Sequence, residues 1–266
     1  MSTDLFEFDL DIGGDGDNMP DRPPAATTLE TWADEQLAKS PSPGSGPLFW
    51  DIETGPRPEE ELQSLYHEKT LDEFAATSDK RWKAETVAEK FEQYKVTAWQ
   101  EFVQKAALSA TTGRVLLIGV LNNDDFHGFG VDNEAGIIAT FWDLVTDALE
   151  VKLRIIGHNS NSFDLPFLVR RSWLLGVPVP REIRQGRYWN PLFLDTMEAW
   201  SFGAREYTSL NDIGRFFGVG QKTAGVCGGD FARLWFGTPA EHKQALEYNE
   251  QDLRLTAAIA AKMGLV

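Results

Sequence analysis

Cysteine is nearly absent: Cys227 stands alone among 266 residues. No intrachain disulfide can form from one thiol, and a multi-thiolate metal cluster is excluded. That suits a reducing compartment, so a cytoplasmic location is the expectation. Long apolar runs are missing too. The longest, Val115–Leu121, is too short to cross a bilayer, and no membrane partner is expected. Asp4, Glu7 and Asp9 stand where a secretory signal would carry basic residues, so none is expected. Positive charge is the third shortage. The 25 Lys and Arg face 41 Asp and Glu, giving a formal net charge of −16. A balance of this sign speaks against a polyanion partner, but its distribution counts for more than its total. Residues 1–47 hold ten acids against Arg22 and Lys39, half of the excess. The stretch from Lys152 to Arg187 is the reverse, with seven basic residues against Asp164 and Glu182.

The chain divides by composition. Residues 1–47, with Gly13-Gly14, Pro23-Pro24 and the run Ser40–Pro47, read as a disordered acidic tail and linker. Within it, Leu5-Phe6-Glu7-Phe8 and Thr28–Leu37 are candidate contacts for a protein partner; solvated disorder is the plainer alternative. Residues 48–266 have the length and apolar content of one α/β domain. A first strand begins at Leu48, and the next appears only at Arg114–Leu121. Between them, at about 56–112, lies a helical insertion with apolar positions Trp82, Val87, Phe91, Tyr94, Ala98 and Phe102 near helical spacing. Its aromatics are expected to pack on the domain, with its lysines balanced by acids on a solvated face. A strand at Phe126–Val131, a helix over Asn133–Glu150, a strand through Ile155-Ile156, a helix over Leu165–Gly176, a strand at Phe193–Met197 and a helix over Ser209–Phe217 follow. Thr238 and Pro239 open a last long helix as N-cap and first helical residue. Strands first and then strand–helix alternation predict a mixed sheet flanked by helices.

Three acidic clusters stand out. In Phe49-Trp50-Asp51-Ile52-Glu53-Thr54-Gly55, period-two spacing sends Asp51 and Glu53 to one face of a buried strand. Two such carboxylates repel and lose hydration, a cost that a cation between them removes. Asp164 follows Asn159 and Phe163 at a helix start, where capping alone would account for it. Tyr248 and Asp252 share a helix face at i,i+4 spacing, where a solvated pair would be ordinary. Each cluster has its plain reading; together they form an ordered set of four acids and a tyrosine.

That ordered set resembles the DEDD superfamily of 3′–5′ exonucleases in its tyrosine variant (DEDDy). It is most similar to the proofreading exonuclease domain of family B DNA polymerases and its standalone bacterial relatives. The matching motifs are Asp51-Ile-Glu53-Thr54, Asn159-x-x-x-Phe163-Asp164 and Tyr248-x-x-x-Asp252. The histidine variant would need His at position 247, which is Glu. The resemblance implies an α/β ribonuclease H-like (DnaQ-like exonuclease) fold. It implies two Mg²⁺ or Mn²⁺ ions held by Asp51, Glu53, Asp164 and Asp252, with Tyr248 orienting water or phosphate. It further implies contacts to the terminal nucleotide from Thr54, Gly55, Asn159 and Phe163. Oxygen donors suit such hard cations. The expected substrate is a single-stranded nucleic-acid 3′ end, DNA preferred, cut by a standalone enzyme of DNA replication or repair. An exoribonuclease, or a non-catalytic nucleic-acid or replisome-binding module, is the alternative. Arg170, Arg171, Arg181, Arg184 and Arg187, with Trp173, Tyr188 and Trp189, are candidates for a strand-binding surface, against a plain surface helix with buried aromatics. His158 and Asp195 read as structural.

Overall fold

The computed structural model describes residues 46–130, 133–185, 188–204, 206–222 and 228–266; the acidic tail expected over 1–47 lies almost wholly outside them. Five strands form one sheet: β1 (Leu48–Pro56), β2 (Gly113–Asn122), β3 (Asp125–Gly130), β4 (Ile155–Gly157) and β7 (Phe193–Asp195), in the order β3-β2-β1-β4-β7. Strands β1, β2 and β3 pair antiparallel, whereas β4 joins β1, and β7 joins β4, in parallel. The sheet is therefore mixed, as expected. A separate two-stranded ribbon, β5 (Arg184–Gln185) with β6 (Tyr188–Trp189), precedes β7.

The helices are α1 (Glu59–Leu65), α2 (Leu71–Thr77), α3 (Ala84–Ala106), α4 (Glu134–Glu150), α5 (Asp164–Leu175), α6 (Thr196–Ser201), α7 (Leu210–Phe217), α8 (Phe231–Trp235) and α9 (Pro239–Met263). Strand alternation decides which layer each side chain joins. Leu48, Trp50 and Ile52 of β1 share a core with Ile137, Phe141 and Val145 of α4 and Leu165 and Leu168 of α5. Phe49, on the opposite face, packs with Leu253 and Ala260 of α9. Asp51 and Glu53 belong to that second face by the same alternation, so both acids look toward α9. Helix α9 has a complete capping box, Thr238 bonding the Glu241 amide while Glu241 bonds back, with Pro239 at its start.

The insertion is helical, but its aromatics chiefly pack on one another. Tyr66, Trp99 and Phe102 form one cluster and Phe74, Phe91 and Tyr94 another, with ring centroids 5.1–6.1 Å apart. Only Leu62 of α1 and Ala98 and Ala106 of α3 are buried in these helices. Lys95 and Lys105 pair with Glu92 and Glu101, which fits a solvated face.

Candidate active site

Strand β1 outruns its parallel neighbour. The Leu48 amide bonds Arg154 O, and strand geometry turns every second amide to that same edge, Ile52 included. Strand β4 stops at Gly157, so it offers Ile52 no carbonyl. Asp164, the first residue of α5, fills the gap: its Oδ1 accepts the Ile52 amide at 3.1 Å. A bulge lies just beyond. Partners step from Glu53–Leu117 to Thr54–Val115, leaving Leu116 as the extra residue. Its side chain fills the space that Gly55 leaves for want of a Cβ.

Asp51 and Glu53 meet Asp252 of α9 there. One carboxylate oxygen from each lies within 4.8 Å of the other two. The surrounding cleft, about 280 Å³, is walled by these acids and by Asp164, Tyr248, His158, Asn159, Phe163, Tyr207 and Lys222 among others. Thus the cleft gathers Asp51, Glu53, Asp164, Tyr248, Asp252, Asn159 and Phe163 but excludes Thr54 and Gly55 from its walls. The Thr54 hydroxyl is committed to Ala107 O at 2.7 Å, and Gly55 is buried against Leu116 and Ala232.

The acids are uncomfortable together. Burial, then the charges of Asp164, Glu53 and Asp252, push the Asp51 carboxyl well above its usual range. Burial and Asp252 raise Glu53 to about 8 against a lowering bond from Asn249. Burial lifts Asp164 to about 7, opposed by the Ile52 amide. Asp252 is raised by burial despite Lys222. Such strain among oxygen donors is what a bound divalent cation relieves, so the donor set fits hard metal ions.

Two residues that the sequence reading passed over complete the site. Asn249 is fully buried, and its Nδ2 donates to Asp51 Oδ2 at 3.0 Å and Glu53 Oε1 at 3.4 Å. It fits because Gly119 of β2 lies opposite; a Cβ there would collide with the Asn249 amide oxygen. Its i,i+3 spacing to Asp252 was the available signal. Lys222 stands in the chain between α7 and α8, where no periodicity marks it. Its Nζ bonds Asp252 Oδ2 and, at 3.2 Å, the Tyr248 hydroxyl. Burial works against the ammonium charge, but Asp252 and Tyr248 outweigh it and raise the lysine above its usual value. Burial and the Asp252 charge likewise hold the Tyr248 phenol protonated.

His158 bonds the Thr196 hydroxyl at 2.9 Å, and burial lowers its pKa to about 4, so it is a neutral structural ring at neutral pH. Asp195 caps α6, accepting the amides of Met197 and Glu198. Arg171 leaves the expected strand-binding surface: it is buried, paired with Glu134 at 2.6 Å and bonded to Ala110 O. Arg170, Arg181 and Trp173 are exposed. Arg187 lies outside the described residues, and the side chains of Arg184, Tyr188 and Trp189 do too.

No curated protein matches this sequence. The structure is similar to the family B DNA polymerase of the hyperthermophilic archaeon Pyrobaculum calidifontis, at 19% identity and a TM-score of 0.48, over 81% of this chain and 24% of that one. The chain thus spans about a quarter of that polymerase. It is similar also to the Nibbler EXO domain of Aedes aegypti, at 11% identity and a TM-score of 0.51, over 89% of this chain and 84% of that one. The latter likeness is one of fold. A family model described as RNase_H superfamily matches residues 105–264, more than half of the chain and inclusive of Asp164, Tyr248 and Asp252. With its mixed five-stranded sheet and flanking helices, the chain belongs to the RNase_H superfamily.

Proposed function

We propose that this chain is a metal-dependent 3′–5′ exonuclease that trims single-stranded nucleic acid, DNA by preference, to nucleoside monophosphates. The observation that carries the reading is the meeting of half-buried Asp51 with buried Glu53 and Asp252 within 4.8 Å, mutually repelling, in a superfamily with nuclease-like architecture. Asp51, Glu53 and Asp252 are the residues that would hold one divalent ion, and Asp51 with Asp164 a second. When bound, a pair of Mg²⁺ or Mn²⁺ ions supplies an activated water and charge relief for the leaving oxygen.

The protein's own groups do the rest. Burial and the Asp252 charge favour the Tyr248 phenol, which suits its hydroxyl to orient the water or the scissile phosphate by hydrogen bonding rather than to take a proton. Lys222 brings an ammonium to the same spot, placed to steady a phosphate oxygen. Asn249 holds Asp51 and Glu53 in register. Asn159 and Phe163 stand on the wall that a terminal nucleotide would face.

Digestion of a 5′-labelled oligonucleotide tests the reading. The expected result is a descending ladder that EDTA abolishes, Mn²⁺ restores and Asp51→Ala prevents. Full activity of Asp51→Ala, or indifference to EDTA, overturns it. Matched DNA and RNA oligonucleotides in the same assay decide the sugar preference.

A further inference from the structure

Tyr207, in the connection between α6 and α7, is 75% exposed although it belongs to the wall of the cleft. Its hydroxyl is tethered: Asn159 Nδ2 donates to it at 2.8 Å. Asn159 is in a left-handed conformation, φ 59°, and its backbone N–H donates a hydrogen bond to Asp195 Oδ1 at 2.9 Å. The second oxygen of Asp195 accepts the Asn161 amide at 3.0 Å. With Met197 and Glu198, the buried Asp195 carboxylate gathers four amides from two segments. The wall that presents Tyr207 is therefore fixed through Asn159 to a buried anchor.

The chemistry left open on that wall is specific. The ring of Tyr207 is held by its hydroxyl and is 75% exposed. The side-chain oxygen of Asn159 is buried, with no hydrogen-bond partner among the described residues, so its amide serves the wall through its donation to Tyr207. Phe163, by contrast, is already engaged with Phe167 at a centroid distance of 5.6 Å. A flat aromatic group lies against an exposed ring held in this way, and a nucleobase is such a group. The geometry points to Tyr207 as the stacking face for a nucleobase at the 3′ end of the strand, with Asn159 and Asp195 as its positioning residues. This inference rests on the nuclease reading of the cleft and narrows its substrate to ends that carry an unpaired base. Any base presents a π face, so the contact tolerates sequence. A base stacked inside a duplex cannot reach it.

The test measures binding apart from hydrolysis. In the Asp51→Ala background, fluorescence anisotropy compares a 5′-labelled oligothymidylate with the same strand ending in an abasic residue. Tyr207→Ala is expected to weaken binding of the base-bearing end about tenfold, in the range for loss of one base–aromatic stack, and to leave the abasic strand unchanged. Tyr207→Trp is expected to retain the preference. A Tyr207→Ala protein that still prefers the base-bearing end overturns the inference, as does a parent without that preference. If the unsubstituted chain binds the strand and releases no nucleotide, the nuclease reading falls, while the two dissociation constants still decide the role of Tyr207. The exposure of this ring means that its truncation leaves the core intact, which a melting curve checks.

Discussion

Asn249 steadies two carboxylates with one amide, donating to Asp51 and to Glu53. Asp51 with Glu53 announced themselves by period two, and Tyr248 with Asp252 by i,i+4 spacing, because those patterns set a shared face regardless of tertiary context. Asn249 shares a helix face with Asp252, but what it touches across the fold, like the partners of Lys222, no local rule reports. Neutral donors between two carboxylates keep both oxygens aimed without cancelling the charge that draws a cation. Asn249→Leu is therefore expected to lower Mn²⁺ affinity about 10- to 100-fold, a loss typical of groups that orient metal ligands; titration followed by electron paramagnetic resonance measures it. Gly119→Ala is expected to act in the same direction by evicting the amide. Tyr248→Phe removes an orienting hydroxyl but no donor to the metal. It should slow nucleotide release while leaving the Mn²⁺ affinity within about twofold, so the pair of variants separates orientation from ion capture.

Among the elements, periodicity and caps made most of them readable, down to the three-residue β4, marked by Ile155-Ile156. Helices α4, α5, α7 and α9 stand close to their expected bounds because Asn133, Ser209 and Thr238 cap them and Gly176 and Gly218 end them. Helix α2 buries no residue; a capping box at Thr70 opens it, and its Phe74 packs on Phe91 and Tyr94 of α3. The strand expected over Phe193–Met197 gives way to α6 after Asp195, whose carboxylate caps the turn. Arg171 was misplaced on the surface for a related reason. A helix of mixed composition does not reveal which of two adjacent arginines turns inward. Here Arg171 ties α5 to Glu134 at the start of α4 and to Ala110, and Glu134 also accepts the Val115 amide of β2. Removing one member of a buried pair strands the other, at about 3–5 kcal/mol. Arg171→Met should cost that much in chemical denaturation, and Glu134→Gln in the same chain should recover part of it. Arg170→Met, on the exposed side, should change stability by about 0.5 kcal/mol or less.

At the scale of the molecule, the fold class followed from the order of strands and helices, whereas the packing of the insertion on itself did not. Aromatic spacing sets a face but not its partner. The site couples to global stability through protons. A carboxyl whose pKa is raised on folding keeps a proton that the unfolded chain has released, so it favours the folded state at low pH. That contribution is lost as pH climbs from about 4 through the folded values, about 7 for Asp164 and about 8 for Glu53. Without divalent metal, the melting temperature is expected to fall by roughly 5 °C or more between pH 5 and pH 8. Saturating Mn²⁺ should raise it, and more at pH 8 than at pH 5. A melting curve indifferent to both would contradict the pairing of these acids. Among the described residues no helix is long and apolar enough to cross a membrane.

The brevity of β4 has its own consequence. Two more residues of regular strand would satisfy the Ile52 amide from the backbone and dislodge Asp164 from its seat, sealing the sheet where it now parts. The opening in this protein is thus made by an unfinished ladder. Insertions between Gly157 and Asp164 are accordingly the changes that would convert a reactive architecture into an inert one without touching a single acid.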